Sequence, residues 1–433
     1  MRSAYITAGA AGMICGSCLH DNTLAAALKR LGHDIALVPT YTPIRTDEVD
    51  VSIDRVFYGA ISVYLEQKVP LFRAVPKAVE RVLDHPRLLG LVSRIGASID
   101  ARQLGGLTLS LLQGENGRQS KELDELVAWL RDDYRPDIVH VTNPLLIGIV
   151  RKIKDDLGVP VLCSVQGEDI FLEQLVEPYG SRVRDTLRER ARDVDGFVAT
   201  SRYYADYMTG YLGVSPQRMH HVKLGIHLEG QGGAAPERDS RRPFTVGYLA
   251  RVCPEKGLHV LLDAFRLLVE RAAGKHEVRL RIAGWLGPRD RKWFDECMER
   301  ARSQGLGRRI EHVGEVDRKG KIDFLHSLDV LSVPTVYREP KGLYVLEALA
   351  NGVPVVQPRH GAFPELIAET GGGLLVEPQS PEAVAAGLYE LMVDPERRAA
   401  LGRRGKEVVH AVYGDVAMAE ATLDLYRRYT RAD

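Results

Sequence analysis

The chain has 433 residues, 45% hydrophobic and 27% charged, enough for two or three domains with cores of their own. Lys plus Arg and Asp plus Glu each number 58, so no net charge draws it to nucleic acid, and the composition excludes wholesale disorder. Five cysteines, an odd and sparse set, argue against a disulfide framework and for a reducing compartment.

The segment 3–19 lacks charge and follows Arg2, as a secretory leader would, but Gly9, Gly12 and Gly16 interrupt it. It reads better as the first strand and loop of a βαβ unit, so the chain is expected to be cytoplasmic. "AYITAG" is the strand and "AGMICGSCLHD" the loop. "NTLAAALKRLGH" is a helix with Asn22 as N-cap and Gly32 as its stop, and "DIALVPTY" is the next strand. The glycine spacings are three and four, so this is not the dinucleotide fingerprint, and no acidic residue ends the second strand. Cys15 and Cys18 form a CxxC beside His20. A metal site would need further ligands, so buried packing is the favoured reading.

Residues 44–130 break the strand–helix rhythm. Six Arg or Lys stand against three Asp or Glu between Arg73 and Arg102, among apolar residues at helical spacing. The stretch reads as a helical covering of the sheet or as an inserted helical subdomain, with an acceptor-binding or membrane-touching surface as the sharper alternative. Alternation resumes with strand "DIVHVT", helix "PLLIGIVRKIKDDLG", strand "VPVLCSVQG", helix "DTLRERARDVD" and strand "GFVATS". Gln166, Glu168 and Asp169 form a polar cluster at a strand end. The alternative there is a loop cap made by Asp169. His140 reads as a satisfied, half-buried residue.

The pattern divides into a first domain over 1–227, a linker over 228–243 rich in Gly and charge, and a second domain over 244–414. The helix 415–433 is expected to pack back on the first domain. Both domains read as α/β, doubly wound and Rossmann-like, facing across a cleft with strand carboxyl ends toward the ligand.

The strongest chemical signal is "REPKGLYVLEALANGVPVV". Gly342 opens a helix whose Leu343 and Tyr344 N–H groups can meet an anion, with Glu339 in the preceding loop and Glu347 one turn in. In "YLARVCPEKGLHV", Arg251 and Lys256 follow a strand closely, as cations for a diphosphate would. No HExxH, GxSxG or Walker A string occurs, which disfavours those hydrolase and NTPase classes.

At these residues the chain resembles the family-four retaining glycosyltransferases of GT-B fold. The likeness runs nearly end to end, through "LAAALKRLGH", "GYLARVCPEKG", "EPKGLYVLEALANGVPVV" and "GGGLLVEP". It implies a nucleotide-sugar donor bound mostly by the second domain, a hydroxyl acceptor, retention of configuration, and neither metal nor cofactor. It also implies Arg251 and Lys256 on the diphosphate, Glu339 on the donor sugar and Glu347 on the ribose. Leu343 and Tyr344 would serve the phosphate, Val316 and Lys321 the base, and Gly16 would lie near the diphosphate. Two positions depart from the family. Gln166 stands where a His is usual, and it can hydrogen-bond but cannot act as an acid or base. Lys341 replaces an aromatic, and reads as a charge near the donor or as a solvated residue. Gln166 keeps a non-catalytic nucleotide-sugar-binding protein open as an alternative, beside a nucleotide-sugar epimerase of the same fold.

Overall fold

The computed structural model describes residues 1–9, 16–58, 101–233 and 242–430. Gly12, Cys15, most of the charged stretch 73–102 and residues 234–241 lie outside them. The chain divides into two compact units, Met1–Gly225 with Asp415–Asp433, and Ile226–Gly414. Residues 226–233 are tied to the second unit: Asn351 Nδ2 donates to Gln231 Oε1 at 2.6 Å, and Lys406 Nζ to the Gly232 carbonyl at 2.5 Å.

The first unit is a six-stranded parallel sheet. Its strands are β1 (Arg2–Thr7), β2 (Asp34–Pro39), β3 (Ile138–Val141), β4 (Val161–Val165), β5 (Gly196–Ala199) and β6 (Met219–His221), in the order β2-β1-β3-β4-β5-β6. The strand interiors are mostly apolar and buried, as in a parallel sheet covered on both faces. Side chains alternate between faces. Ala4, Ile6, Val139 and Val141 enter one core, while Tyr5, Ile138 and Leu162 enter the other.

The helix Gly16–Arg30 and the C-terminal helix Asp415–Thr430 share that second core, with Leu24, Leu28, Met418, Leu423 and Tyr426 buried. The first helix is already formed at Gly16, where the described residues resume, ahead of the expected Asn22. Asn22 is therefore not its cap. It is a buried mid-helix residue whose side chain bonds the Val49 carbonyl and the Val51 N–H, both at 3.0 Å. Cys18 is buried on this helix.

The second unit repeats the architecture with β7 (Phe244–Leu249), β8 (Val278–Ala283), β9 (Ile310–Gly314), β10 (Val330–Leu331), β11 (Val355–Pro358) and β12 (Gly373–Val376). Their order is β12-β11-β10-β7-β8-β9, all parallel. In each sheet the winding reverses once, between β1 and β3 and between β7 and β10. Open α/β sheets bind ligands outside the strand carboxyl ends at such reversals. Among the described residues no helix is long and apolar enough to cross a membrane.

A chain of buried polar groups fastens the C-terminal helix to the first sheet. Ser164 Oγ lies 2.9 Å from His140 Nε2, and His140 Nδ1 lies 2.7 Å from the Tyr426 hydroxyl. His140 is 1% exposed, more deeply buried than its sequence position indicates. Burial lowers its imidazole to about 3, so it is neutral in the fold and takes up a proton on unfolding below about 6.5. The unfolded state then binds more protons, and stability falls as pH drops from about 6.5 toward 3. Urea denaturation across that range is expected to show this loss in the parent and a flatter dependence in His140→Gln. Parallel pH dependences in the two proteins would assign the loss to other groups.

Candidate active site

In the second unit the loops after β7 and β10 meet at the winding reversal. The chain leaves β7, turns through a 3-10 segment Pro254–Lys256 and starts the helix Leu258–Ala272. Gly257 adopts φ +72°, and a Cβ there would lie 1.8 Å from the Pro334 carbonyl oxygen, so only glycine lets the two loops touch. The Val336 N–H closes the contact on the Glu255 carbonyl at 3.0 Å. Gly361 plays the same part from the other side, at φ +59°: a Cβ would stand 2.4 Å from the Glu339 carbonyl oxygen.

These contacts bring Lys256 and Glu339 together. Lys256 Nζ lies 2.6 Å from Glu339 Oε2 and 2.5 Å from the Tyr337 hydroxyl. The Tyr337 and Tyr344 hydroxyls donate to the same Oε2 at 2.8 and 3.0 Å. The Lys341 and Gly342 N–H groups approach Oε1 at 3.4 and 3.3 Å. The ammonium also sits 5.0 and 5.2 Å from the centres of the two tyrosine rings, within cation–π range. Burial would raise the Glu339 carboxyl, but Lys256 and the two hydroxyls outweigh it and hold the group at about 2.

Glu339 is thus a 4% exposed hub rather than an open loop carboxylate. Arg251 stands exposed beyond the end of β7 and makes no ion pair among the described residues. Gly342, in the left-handed region at φ +77°, opens the helix Leu343–Ala350. The N–H groups of Leu343 and Tyr344 find no acceptor among the described residues, as the first turn of a helix leaves them. Glu347 is buried one turn in, with Lys321 Nζ 2.5 Å from its Oε1. Lys321 is expected near a base through its main chain; its side chain neutralises Glu347. Val316 is partly buried in the loop before the helix Arg318–His326. Lys341 is 8% exposed, which excludes the solvated reading.

In the first unit Gln166 directly follows β4, beside Thr142, which directly follows β3. With Thr7, Gly9, Ser17 and Asn143 they line a cleft at the strand ends. Glu168, not Asp169, caps this turn. Its carboxylate accepts the Gln166 N–H at 2.8 Å and the Gly167 N–H at 3.1 Å, while Asp169 accepts the Tyr204 hydroxyl. Gly16 is an exposed first residue of its helix.

Sequence reasoning missed the Tyr337 and Tyr344 side chains; two tyrosines flanking Glu339 in "YREPKGLY" were the available signal. It also missed Asp21, fully buried beneath Gln166.

Two family models cover most of the chain: "Glycosyl transferase 4-like domain" over residues 22–225 and "Glycosyl transferases group 1" over 235–408. The chain belongs to the family-four glycosyltransferases of GT-B fold. A D-inositol 3-phosphate glycosyltransferase of Segniliparus rotundus is 29% identical over 316 residues, 69% of this chain and 67% of that protein. Sucrose-phosphate synthase from Thermosynechococcus elongatus shares the fold at a TM-score of 0.74 and 17% identity, each chain wholly covered. Anabaena HepE in complex with UDP does so at 0.68 and 15% identity, over 99% of this chain and 100% of that one.

This glycosyltransferase holds Glu339 ionised mainly through Lys256. Removing one partner of a buried pair strands the other. Lys256→Met is therefore expected to cost about 3 kcal/mol, somewhat eased by the two tyrosine hydroxyls. Lys256→Met/Glu339→Gln should recover part of that loss in urea denaturation. A double variant less stable than the single would refute the coupling.

Proposed function

We propose that the protein transfers a hexose from a nucleoside diphosphate sugar to an acceptor hydroxyl, with retention of configuration at the sugar. The observation that carries this reading is the grouping of Arg251, Lys256 and the Leu343–Ala350 helix N-terminus at the winding reversal of the second unit. Two cations and two open N–H groups suit a diphosphate, whose charge grows as the sugar departs. Glu347 would take the ribose diol, and the Val316 segment the base.

Glu339 is a poor nucleophile, because Lys256 and two hydroxyls crowd its Oε2. A route on one face of the sugar follows. The C1–O bond to the β-phosphate breaks, the acceptor oxygen bonds C1 on the same side, and its proton passes to the departing phosphate oxygen. Glu339 would support Lys256 and the Pro340–Gly342 turn during this step. Gln166, where the family usually carries a His, would meet a substrate hydroxyl.

Structures of the fold neighbour HepE hold UDP and UDP-glucose, and a Corynebacterium glutamicum relative is described as GDP-mannose-dependent, so both nucleotides belong in the donor test. Thermal-shift measurements against UDP-, GDP- and ADP-sugars are expected to single out one nucleotide. At about 100 times its Kd a donor adds roughly 2.7 kcal/mol of stability. No shift with any of them would sink the donor assignment.

With that donor, Arg251→Ala is expected to lower kcat by about 10²–10³, with a smaller rise in donor KM. Parental kinetics in that variant would remove Arg251 from the diphosphate. We further propose that protein cations alone neutralise the diphosphate; EDTA treatment should then leave the rate unchanged, and a loss restored by a divalent cation would overturn this.

A further inference from the structure

Beneath the cleft of the first unit lies Asp21, a fully buried carboxylate on the helix Gly16–Arg30. Five donors converge on it. Oδ1 receives the Tyr5 hydroxyl at 3.1 Å, His20 Nδ1 at 3.2 Å and Gln166 Nε2 at 3.1 Å. Oδ2 receives the hydroxyls of Thr7 at 2.8 Å and Thr142 at 2.5 Å. Burial would raise this carboxyl, but the His20 and hydroxyl contacts lower it, so the group stays ionised. Tyr5 continues the network, its hydroxyl 3.3 Å from Ser164 Oγ and so linked to His140 and Tyr426.

This arrangement decides which end of the Gln166 amide faces inward. An ionised carboxylate only accepts, so the nitrogen must face Asp21. The same Nε2 lies 3.0 Å from the Thr142 carbonyl oxygen, a second pure acceptor. Turning the amide over would set its oxygen against both. The carbonyl of Gln166 therefore points away from Asp21.

We propose that Asp21 is a positioning residue: it locks the Gln166 amide nitrogen-inward, so that the carbonyl oxygen is the end offered to a hydroxyl of the bound substrate. The proposal rests on the reading of Gln166 as a substrate contact. It makes this position a hydrogen-bond acceptor, set from beneath by a residue that never touches substrate.

Reversing the donor and acceptor roles tests it. In Asp21→Asn only the Thr142 carbonyl still requires the nitrogen inward, so the orientation is no longer doubly fixed and a fraction of the molecules present nitrogen outward. The expected result is a fall in kcat of about tenfold to a hundredfold, with UDP or GDP affinity within about twofold of the parent. Gln166→Glu opposes two carboxylates and should lose at least as much. Asp21→Asn/Gln166→Glu restores a donor below and an acceptor above, with the Thr142 carbonyl still facing the new carboxylate, and should regain severalfold over the weaker single variant. A folded double variant that binds nucleotide normally and is no faster than the weaker single variant overturns the proposal.

A readout independent of turnover uses selective 15N-glutamine labelling of the whole chain. The Gln166 side-chain amide should exchange slowly with solvent in the parent, and its signal should move in Asp21→Asn. Fast exchange in the parent, or an unmoved signal in the variant, also overturns the proposal, even where Asp21→Asn folds poorly or no nucleotide sugar is consumed. Absence of turnover with every nucleotide sugar, combined with a protected amide, would instead fault the transferase reading and leave the Asp21–Gln166 lock standing.

Discussion

A carboxylate taken out of water stays ionised only where donors replace its hydration, and both units are organised around one that meets this condition. Asp21 gathers three hydroxyls, a ring nitrogen and an amide. Glu339 gathers an ammonium, two phenols and two backbone N–H groups. Each set draws on several segments, so neither cluster forms until its sheet has closed. The donors in turn are fixed by the carboxylate. Such networks, when fully satisfied, give a site its rigidity, and when half satisfied they are costly.

The placement of both clusters follows from parallel winding. Successive crossovers carry every strand's carboxyl end to one edge of its sheet, and the single reversal in strand order parts two neighbouring loops there. In the first unit the reversal separates β1 from β3, and Thr7 and Thr142 approach Asp21 from its two sides. In the second it separates β7 from β10, and Lys256 comes from one loop while Glu339 comes from the other. Glycines at 257 and 361 then allow backbone contacts that any Cβ would block, so the spacing of the ionic groups is set by main chain rather than by flexible side-chain stems.

Much of this was legible in the sequence, and the limits are physical. The strands announced themselves because both faces of a parallel sheet are buried, which produces runs such as "VPVLCSV". Arg251, Lys256, Glu339, Gly342 and Glu347 were legible because their spacing ties them to a strand end and a helix start. Partner choice was not. Nothing in the spacing shows that the Lys321 ammonium lies on Glu347, across 26 positions of sequence. Asn22 has every property of an N-cap, but tertiary burial extended the helix past it to Gly16. Asp21 looked like a loop residue for the same reason. Tyr337 and Tyr344 flank Glu339 in the sequence, but a hydroxyl names its acceptor only once the fold is built.

The ligand-free pairing of Lys256 with Glu339 bears on how a diphosphate would be received. Arg251 and Lys256 against Glu339 sum to one positive charge, Lys321 and Glu347 cancel, and Glu255 and Lys341 on the same loops add one charge of each sign. An unpaired lysine would bring more charge to the encounter, but its long stem would have to be ordered on binding, at up to about 2 kcal/mol of rotamer entropy. Held between Glu339 and two aromatic faces, Lys256 has already surrendered that freedom during folding. Its three ammonium protons can serve Glu339, Tyr337 and one further acceptor without breaking the pair. The cost of preorganisation thus falls on fold stability, and under the proposed reaction the gain would come where charge develops on a departing phosphate. Arg251, exposed and paired with no carboxylate among the described residues, would under the same proposal bring a second cation to that phosphate.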